Sequence, residues 1–191
     1  EVKKIIMDLS TLFRSVAKTM FPEAKIVADK FHVIRVVINS LENVRKRIQK
    51  EFHATKRKWF KQSRYLLLKQ EYKLTDEDKT ELAMMLNSSY DLEKAYVLKE
   101  RFYEVFRKQT RTEAKKELGN WLLLAADLSL PEFRHCITTF SNWKTEIANI
   151  IGERVSNGFI EGSNNKIKVL KRISYGVRNF DRFRNRILYL E

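Results

Sequence analysis

Five glycines and two prolines are all that punctuate the 191 residues of this chain. These are the strongest local breakers of regular structure, so a sequence so poor in them is committed mostly to long helices. The apolar spacing agrees. From Phe31 to about Ile151, hydrophobic residues recur at three- and four-residue intervals, the mark of a helix with one buried face. Phe31 to Tyr72 is long and basic and carries Val33, Val36, Val37, Leu41, Val44 and Ile48 at that spacing. Thr75-Asp-Glu-Asp78 reads as an N-cap followed by acids in the first turn, where the helix dipole favours them, and opens a helix to about Leu86. Further helices are expected from Ser89 to Lys108, Thr112 to Leu128 and Pro131 to Ile151, with Pro131 suited to a first turn. Trp121, Phe133, Phe140 and Trp143 are expected in the core rather than as platforms for bases.

The opening departs from this pattern. Glu1-Val-Lys-Lys-Ile-Ile-Met-Asp8 is a short apolar, β-branched run ending on an acid, and it predicts a buried strand with the carboxylate at its C-terminal end. Ser10 is placed to cap a helix whose apolar face is Leu12, Phe13, Val16, Ala17 and Met20, and Phe21-Pro22 stops it. Ala24-Lys-Ile-Val-Ala-Asp29 predicts a second strand, again ending in Asp. Strand, helix, strand implies a parallel crossover, with Asp8 and Asp29 at the sheet edge where α/β proteins bind ligands. Two strands do not make a stable sheet alone, so the chain is expected to be a piece of a larger protein or to complete its sheet by other means. The expected class is mostly α with a small α/β part.

Near the end, Ser156-Asn-Gly-Phe-Ile-Glu161-Gly-Ser-Asn-Asn165-Lys-Ile-Lys168 runs on through Lys171-Arg172. On a helix, Glu161, Asn164, Asn165, Lys168, Lys171 and Arg172 fall near one face. One acid among amides and cations suits a phosphate-handling metal site. The plain alternative is an amphipathic helix capped by Ser156. Tyr175-Gly176 is expected as a turn. A final helix from Asn179 to Tyr189 would turn Phe180, Phe183, Ile187 and Leu190 inward and leave Arg178, Arg182, Arg184 and Arg186 outside.

Lys and Arg number 38 against 24 Asp and Glu, a formal net charge of +14. That excess argues for a polyanionic partner, nucleic acid first and an anionic membrane surface second. No apolar run approaches the roughly 20 residues needed to span a bilayer, and no N-terminal signal peptide is visible. Cys136 is the single cysteine, which excludes an internal disulfide and suits a reducing interior; its simplest reading is a small buried apolar residue.

Asp8, Asp29 and Glu161 together would make a set of hard oxygen ligands for Mg²⁺ or Mn²⁺. Two such ions roughly 3.5–4 Å apart can clamp the attacking and leaving oxygens of a phosphoryl transfer. Lys166, Lys168, Lys171 and Arg172 would hold the nucleic-acid backbone around them without reading its sequence. Each Asp has an equally ordinary reading as a helix cap. His32 has one too, as a histidine packing at a helix start, and His53 and His135 have no partners at ligand spacing. Lys56-Arg57-Lys58 reads as a solvated face, or as a DNA contact given the overall charge.

These blocks resemble a known family. Asp8-Leu-Ser, Phe21-Pro22-Glu-Ala24, Val27-Ala-Asp29-Lys-Phe31-His32-Val33, Asn157-Gly-Phe-Ile-Glu161-Gly-Ser-Asn-Asn165-Lys-Ile-Lys168 with Lys171-Arg172 and Tyr175-Gly176, and Asn179-Phe-Asp-Arg-Phe-Arg-Asn-Arg-Ile look, in this order, like the C-terminal part of the ISL3 family of bacterial insertion-sequence transposases. The resemblance implies a DDE enzyme with a ribonuclease-H-like core, here partial and interrupted by a large all-helical insertion. It would divide the chain into a partial core over 1–31, an insertion over 32–151 and core helices over 152–191. Asp8 matches the second catalytic Asp and Glu161 the catalytic Glu, both as metal ligands. Asp29 stands as the rival to Asp8 for the second ligand. Asp29 and His32, with Asn164 and Asn165, match the margin of the active site, and Lys166, Lys168, Lys171, Arg172, Arg178 and Arg182 would contact DNA. The first catalytic Asp and the N-terminal DNA-binding region would lie upstream of this chain, leaving it inactive alone. The implied cofactor is Mg²⁺ or Mn²⁺, held weakly or not at all by the chain alone. The implied partner is DNA, on which two copies could form a homodimer, with no membrane, in a bacterial cytoplasm at the nucleoid. The competing reading is a non-enzymatic basic helical module that binds DNA through charge alone.

Overall fold

The computed structural model describes residues 1–153 and 158–189. The chain divides into two compact units, Glu1–Arg154 and Val155–Glu191.

The first unit opens with β1 (Lys4–Met7), α1 (Thr11–Met20) and β2 (Lys25–Ala28). The two strands pair in parallel, from Lys4 against Lys25 to Met7 against Ala28. This pairing puts two lysines side by side, which repel. Glu153 resolves the conflict: its Oε2 accepts from Lys4 Nζ at 2.7 Å and its Oε1 from Lys25 Nζ at 2.7 Å and Arg111 Nη2 at 3.1 Å. The lysine ammoniums hold the Glu153 carboxyl down at about 2. Ser10 caps α1 as expected, its Oγ accepting from the Phe13 amide at 3.3 Å.

The apolar face of α1 is not buried as the sequence suggests. Leu12, Phe13, Val16 and Met20 are more than half exposed, and Ala17 alone is buried. The helix is held instead through Arg14, whose guanidinium lies 4.3 Å over the Trp143 ring and donates to the Asn142 carbonyl at 2.7 Å. Ala17 lies one turn on from Arg14, so that side of the helix faces the body.

The rest of the unit is helical: α2 (Lys30–Ile48), α3 (Ala54–Gln62), α4 (Arg64–Leu68), α5 (Asp76–Leu86), α6 (Tyr90–Val105), α7 (Arg111–Asp127), α8 (Arg134–Asn142) and α9 (Lys144–Ala148). The stretch from Phe31 to Tyr72 is not continuous. The chain extends at Phe52 and His53, where Phe52 leaves the helix axis to pack edge-on against buried Phe60, centroids 5.0 Å apart. The segment after Pro131 also breaks, into a 3-10 turn (Pro131–Phe133) that Pro131 opens, then α8 and α9.

The core sits among α2, α6, α7 and α8. Phe102 stacks on Phe140 at 5.1 Å and meets Trp121 edge-on at 5.0 Å. Trp121 Nε1 donates to the Leu98 carbonyl at 2.8 Å, which satisfies its polar atom in the interior. Trp121, Phe133, Phe140 and Trp143 are all buried, as expected of core aromatics. Cys136 is buried beside Ser40 Oγ at 3.1 Å. Lys99 is buried as well. Its ammonium donates to the carbonyls of Leu67 at 2.9 Å and Lys69 at 2.6 Å, which closes the end of α4.

The second unit holds α10 (Gly158–Ile173) and α11 (Phe180–Leu188), joined through a turn with Tyr175 and Gly176 at positive φ. Asn179 caps α11, accepting from the Arg182 amide at 3.0 Å. Arg186 Nη1 donates to Ser174 Oγ at 3.0 Å and ties the two helices. Phe180 is exposed, against the inward position expected of it, although it shares a helical stripe with Phe183 and Ile187, which are half-buried; it is the first residue of α11, at the open end of that stripe. Leu190 and Ser156 lie outside the described residues.

Candidate metal and nucleic-acid site

Asp8 and Asp29 occupy the next register step after Met7 and Ala28, so the two carboxylates stand on neighbouring strand ends at the C-terminal edge. The Asp29 amide donates to the Met7 carbonyl at 2.7 Å and carries the parallel ladder one step beyond β2. The two acids then diverge in what they do. Asp29 is buried and is the N-cap of α2: its Oδ1 accepts from the amides of Phe31 at 2.7 Å and His32 at 3.4 Å. That is the ordinary chemistry of an acid at a helix start, where free N–H groups and the dipole both favour it. Asp8 is half-buried, and its carboxylate has no hydrogen bond or ion pair among the described residues.

His32 stands in the first turn of α2. Its Nδ1 is buried without a hydrogen-bond partner among the described residues, and Asp29 Oδ2 lies 3.6 Å away. Phe31 sits edge-on to the imidazole at 5.9 Å. The Asp29–His32 pair thus sets one carboxylate oxygen and one ring nitrogen near each other at the start of α2.

Glu161 lies in the first turns of α10, and its side chain is outside the described residues. Further along the same helix, Asn164, Asn165, Lys166, Lys168, Lys171 and Arg172 are all exposed, while Leu170 is buried. Arg178, before α11, and Arg182, on it, are also exposed. None of these cations makes an ion pair with an acid among the described residues. Asp8 belongs to the first unit and Glu161 to the second. Among the described residues no three His, Cys, Asp or Glu side chains cluster as a ready metal cage. The chemistry of the donors nevertheless suits a hard divalent cation: a carboxylate at a strand end with no partner among the described residues, beside a second whose Oδ2 is not used in capping. Sequence reasoning missed Glu153, which fixes the opposite end of the strands. Two strands of equal length that both open on Lys and close on Asp were the available signal, since such a register demands an acid between the lysines.

No helix among the described residues is long and apolar enough to cross a membrane. No solved structure matches the chain. The transposase of insertion sequence IS1557 from Mycobacterium tuberculosis is 26% identical over 202 residues, covering 94% of this chain and 45% of that protein. The transposase of IS1001 from Bordetella parapertussis is 26% identical over 186 residues, covering 95% and 46%. A Lactococcus lactis protein named ATP-dependent protease is 36% identical over 94 residues, which is 49% of this chain and 26% of that one. The chain thus spans about half the length of the two transposases. A transposase family model, that of ISL3, matches residues 1–187. With both strand-end acids and both C-terminal helices inside that single match, the chain belongs to the ISL3 family of transposases.

Proposed function

We propose that this chain carries the second and third acids of a metal-dependent DNA transposase with a ribonuclease-H-like core, which cleaves and joins strands at the ends of an insertion sequence. The observation that carries the reading is the contrast between two adjacent carboxylates: Asp29 is spent on capping α2, and Asp8, at the sheet edge, has no partner among the described residues. That contrast supports Asp8, rather than Asp29, as the second catalytic Asp.

Asp8 and Glu161 would hold Mg²⁺ or Mn²⁺, with Asp29 Oδ2 at the margin and a further Asp supplied from chain upstream of Glu1. A divalent cation held there supplies activation of a water nucleophile and neutralisation of phosphoryl charge. The chain's own groups do the rest. Asp29 fixes the strand end by capping α2, and His32 packs against it and holds its orientation. Asn164 and Asn165 offer amide donors to phosphate oxygens. Lys166, Lys168, Lys171, Arg172, Arg178 and Arg182 hold the DNA backbone in place, a sequence-independent task. The setting is the bacterial cytoplasm, at the nucleoid, with two copies assembled on the DNA.

The test uses iron as the probe. In the whole transposase, Fe²⁺ bound in place of Mg²⁺ reduces added hydrogen peroxide to hydroxide and a hydroxyl radical, with ascorbate returning Fe³⁺ to Fe²⁺, and the radicals cut the polypeptide near the metal's ligands. Scission is expected beside Asp8 and beside Glu161, and both cuts are expected to vanish together in Asp8→Asn. In the whole transposase, Glu161→Ala is expected to abolish strand cleavage and leave binding of element ends intact. Cleavage that survives Glu161→Ala, or iron-dependent scission confined to one of the two positions, refutes the assignment.

A further inference from the structure

We propose that the groove between the C-terminal end of α2 and the pair α3–α4 binds the phosphate backbone of duplex DNA, as a contact site of its own apart from the acidic strand ends. The proposal rests on the reading of the protein as one that handles DNA.

The groove has a volume of about 620 Å³ and is lined by Arg45, Lys46, Lys50, Arg57, Lys61 and Arg64. Glu42 is the carboxylate in this lining, and it is already committed. It accepts from Arg45 Nε at 2.9 Å and Nη2 at 3.2 Å, and Arg64 Nη2 lies 3.5 Å away. Lys46, Lys50, Arg57 and Lys61 are exposed and make no ion pair among the described residues. Lys46 at the end of α2 and Lys50 in the 3-10 turn that follows line one wall, and Arg57 and Lys61, four apart on α3, line the other. Like charges at that spacing repel, so the groove carries a cost that an anion would relieve.

Several cations outside the groove are neutralised instead. Arg47, on another face of the same helix, pairs with Asp91 at 2.9 Å and Glu132 at 2.6 Å. Lys69 pairs with Asp78 at 3.1 Å and Lys108 with Glu117 at 3.3 Å. Helix dipoles explain cations in the last turns of α2 and α3, but not Arg57 near the start of α3 or Arg64 at the start of α4. The walls are also built before any ligand arrives. Arg45 is buried, with its third nitrogen donating to Gln49 Oε1 at 2.7 Å. Phe60 anchors α3 in the core, and Lys56 lies 4.1 Å over the Phe52 ring.

The lining contains no aromatic side chain. Single-stranded nucleic acid is held by aromatic rings on which bases stack, whereas a duplex can present its phosphates to a groove whose free charges are cationic. The ligand class is therefore duplex backbone, bound without regard to sequence.

The experiment compares two triple variants of the 191-residue chain with equal loss of charge. One is Lys50→Gln/Arg57→Gln/Lys61→Gln, in the groove. The other is Lys115→Gln/Lys116→Gln/Arg134→Gln, three exposed cations away from it. Each phosphate contact contributes about 0.9 to the slope of log K against log salt. The groove variant is expected to lose up to about 2.7 from that slope on a short duplex of arbitrary sequence, with an unchanged melting temperature, and the control variant to keep the wild-type slope. Equal losses in both variants, or a loss as large on a single strand of equal length, overturn the proposal. A wild-type chain that binds duplex while the groove variant binds it equally well overturns the groove alone. A wild-type chain that ignores duplex DNA overturns both the groove and the reading on which it rests.

Discussion

Replacing Asp8 and Asp29 one at a time separates a ligand from a cap, because the two acids stand side by side yet have different partners. Asp29 Oδ1 accepts from two amides of the first turn of α2, at 2.7 and 3.4 Å. Removing such a cap costs about 1–2 kcal/mol, and asparagine retains most of it. In a unit of this size, each kcal/mol moves the melting temperature by about 2–4 °C. Asp29→Ala should therefore melt about 2–8 °C lower than the wild type, and Asp29→Asn within a degree or two of it. Asp8 has no protein partner among the described residues and stands beside another carboxylate. Asp8→Ala should leave the melting temperature unchanged or raise it slightly, since only repulsion is removed. A second measurement, melting with and without millimolar Mn²⁺, adds the functional arm. In the whole transposase, manganese should raise the melting temperature when Asp8 is present and not in Asp8→Asn, since a ligand that binds only the folded state stabilises it. Calorimetry or circular dichroism reads both. If Asp8→Ala destabilises as much as Asp29→Ala, or if Asp29→Asn costs as much as Asp29→Ala, the division of labour drawn here is wrong.

Three further outcomes follow from the packing of the first unit. The Glu153 carboxyl is held at about 2, below its ordinary 4.5, by Lys25 and Lys4, so its contribution to stability is complete above pH 4.5 and drains away as pH falls toward 2; urea midpoints of the wild type should fall through that window, and those of Glu153→Gln should fall less. Burial pushes the Cys136 thiol up to about 11, so at pH 8 it should ignore an aromatic disulfide reagent until denaturant is added, and rapid reaction of the folded chain would contradict its packing. Phe140 stacks on Phe102 and touches Trp121 at 5.6 Å, so Phe140→Ala should cost about 3–5 kcal/mol, read as a shift in urea midpoint; a loss under about 1 kcal/mol would mean the cluster is not the core.

Local signals were legible in the sequence, and signals that depend on distant partners were not. Ser10 and Thr75 cap the helices their positions announce, because a cap is a contact with an amide three residues away. The two strands ending on Asp8 and Asp29 were likewise visible, as apolar β-branched runs closed by an acid. The face on which α1 packs was not. Its apolar stripe is conspicuous in sequence, yet the helix is oriented by Arg14 on Trp143, and nothing near Arg14 in the chain announces a ring more than a hundred residues away. The break at Phe52 and His53 has the same origin: the local residues permit a helix, and the packing of Phe52 on Phe60 ends it. Lys99 reads as an ordinary surface lysine until α4 brings two carbonyls to its ammonium. The cationic groove was half legible, since Lys56-Arg57-Lys58 stands out as a charge run, but only the fold shows that Arg57 faces Lys50 while Lys56 lies on Phe52.

The site depends on this helical body more than on the sheet. A pair of strands is at best marginal in water, yet here the strand ends must hold two acids in register. What makes that possible lies outside the strands. The edge of β2 is closed by Asn149, whose Nδ2 donates to the Ile26 carbonyl at 2.8 Å just beyond α9. The N-terminal ends are clamped through Glu153, and Val27 and Ala28 are buried. The crossover helix is fastened to Asn142 and Trp143 by one arginine. The polar supports among these come from the segment between Asn142 and Glu153, which lies at the end of the helical stretch and more than a hundred residues after the strands. The helical stretch is therefore no passive interruption of an α/β unit. It returns the chain to the strands at the point where they need a partner, so that the positions of Asp8 and Asp29 are set by how α7, α8 and α9 pack.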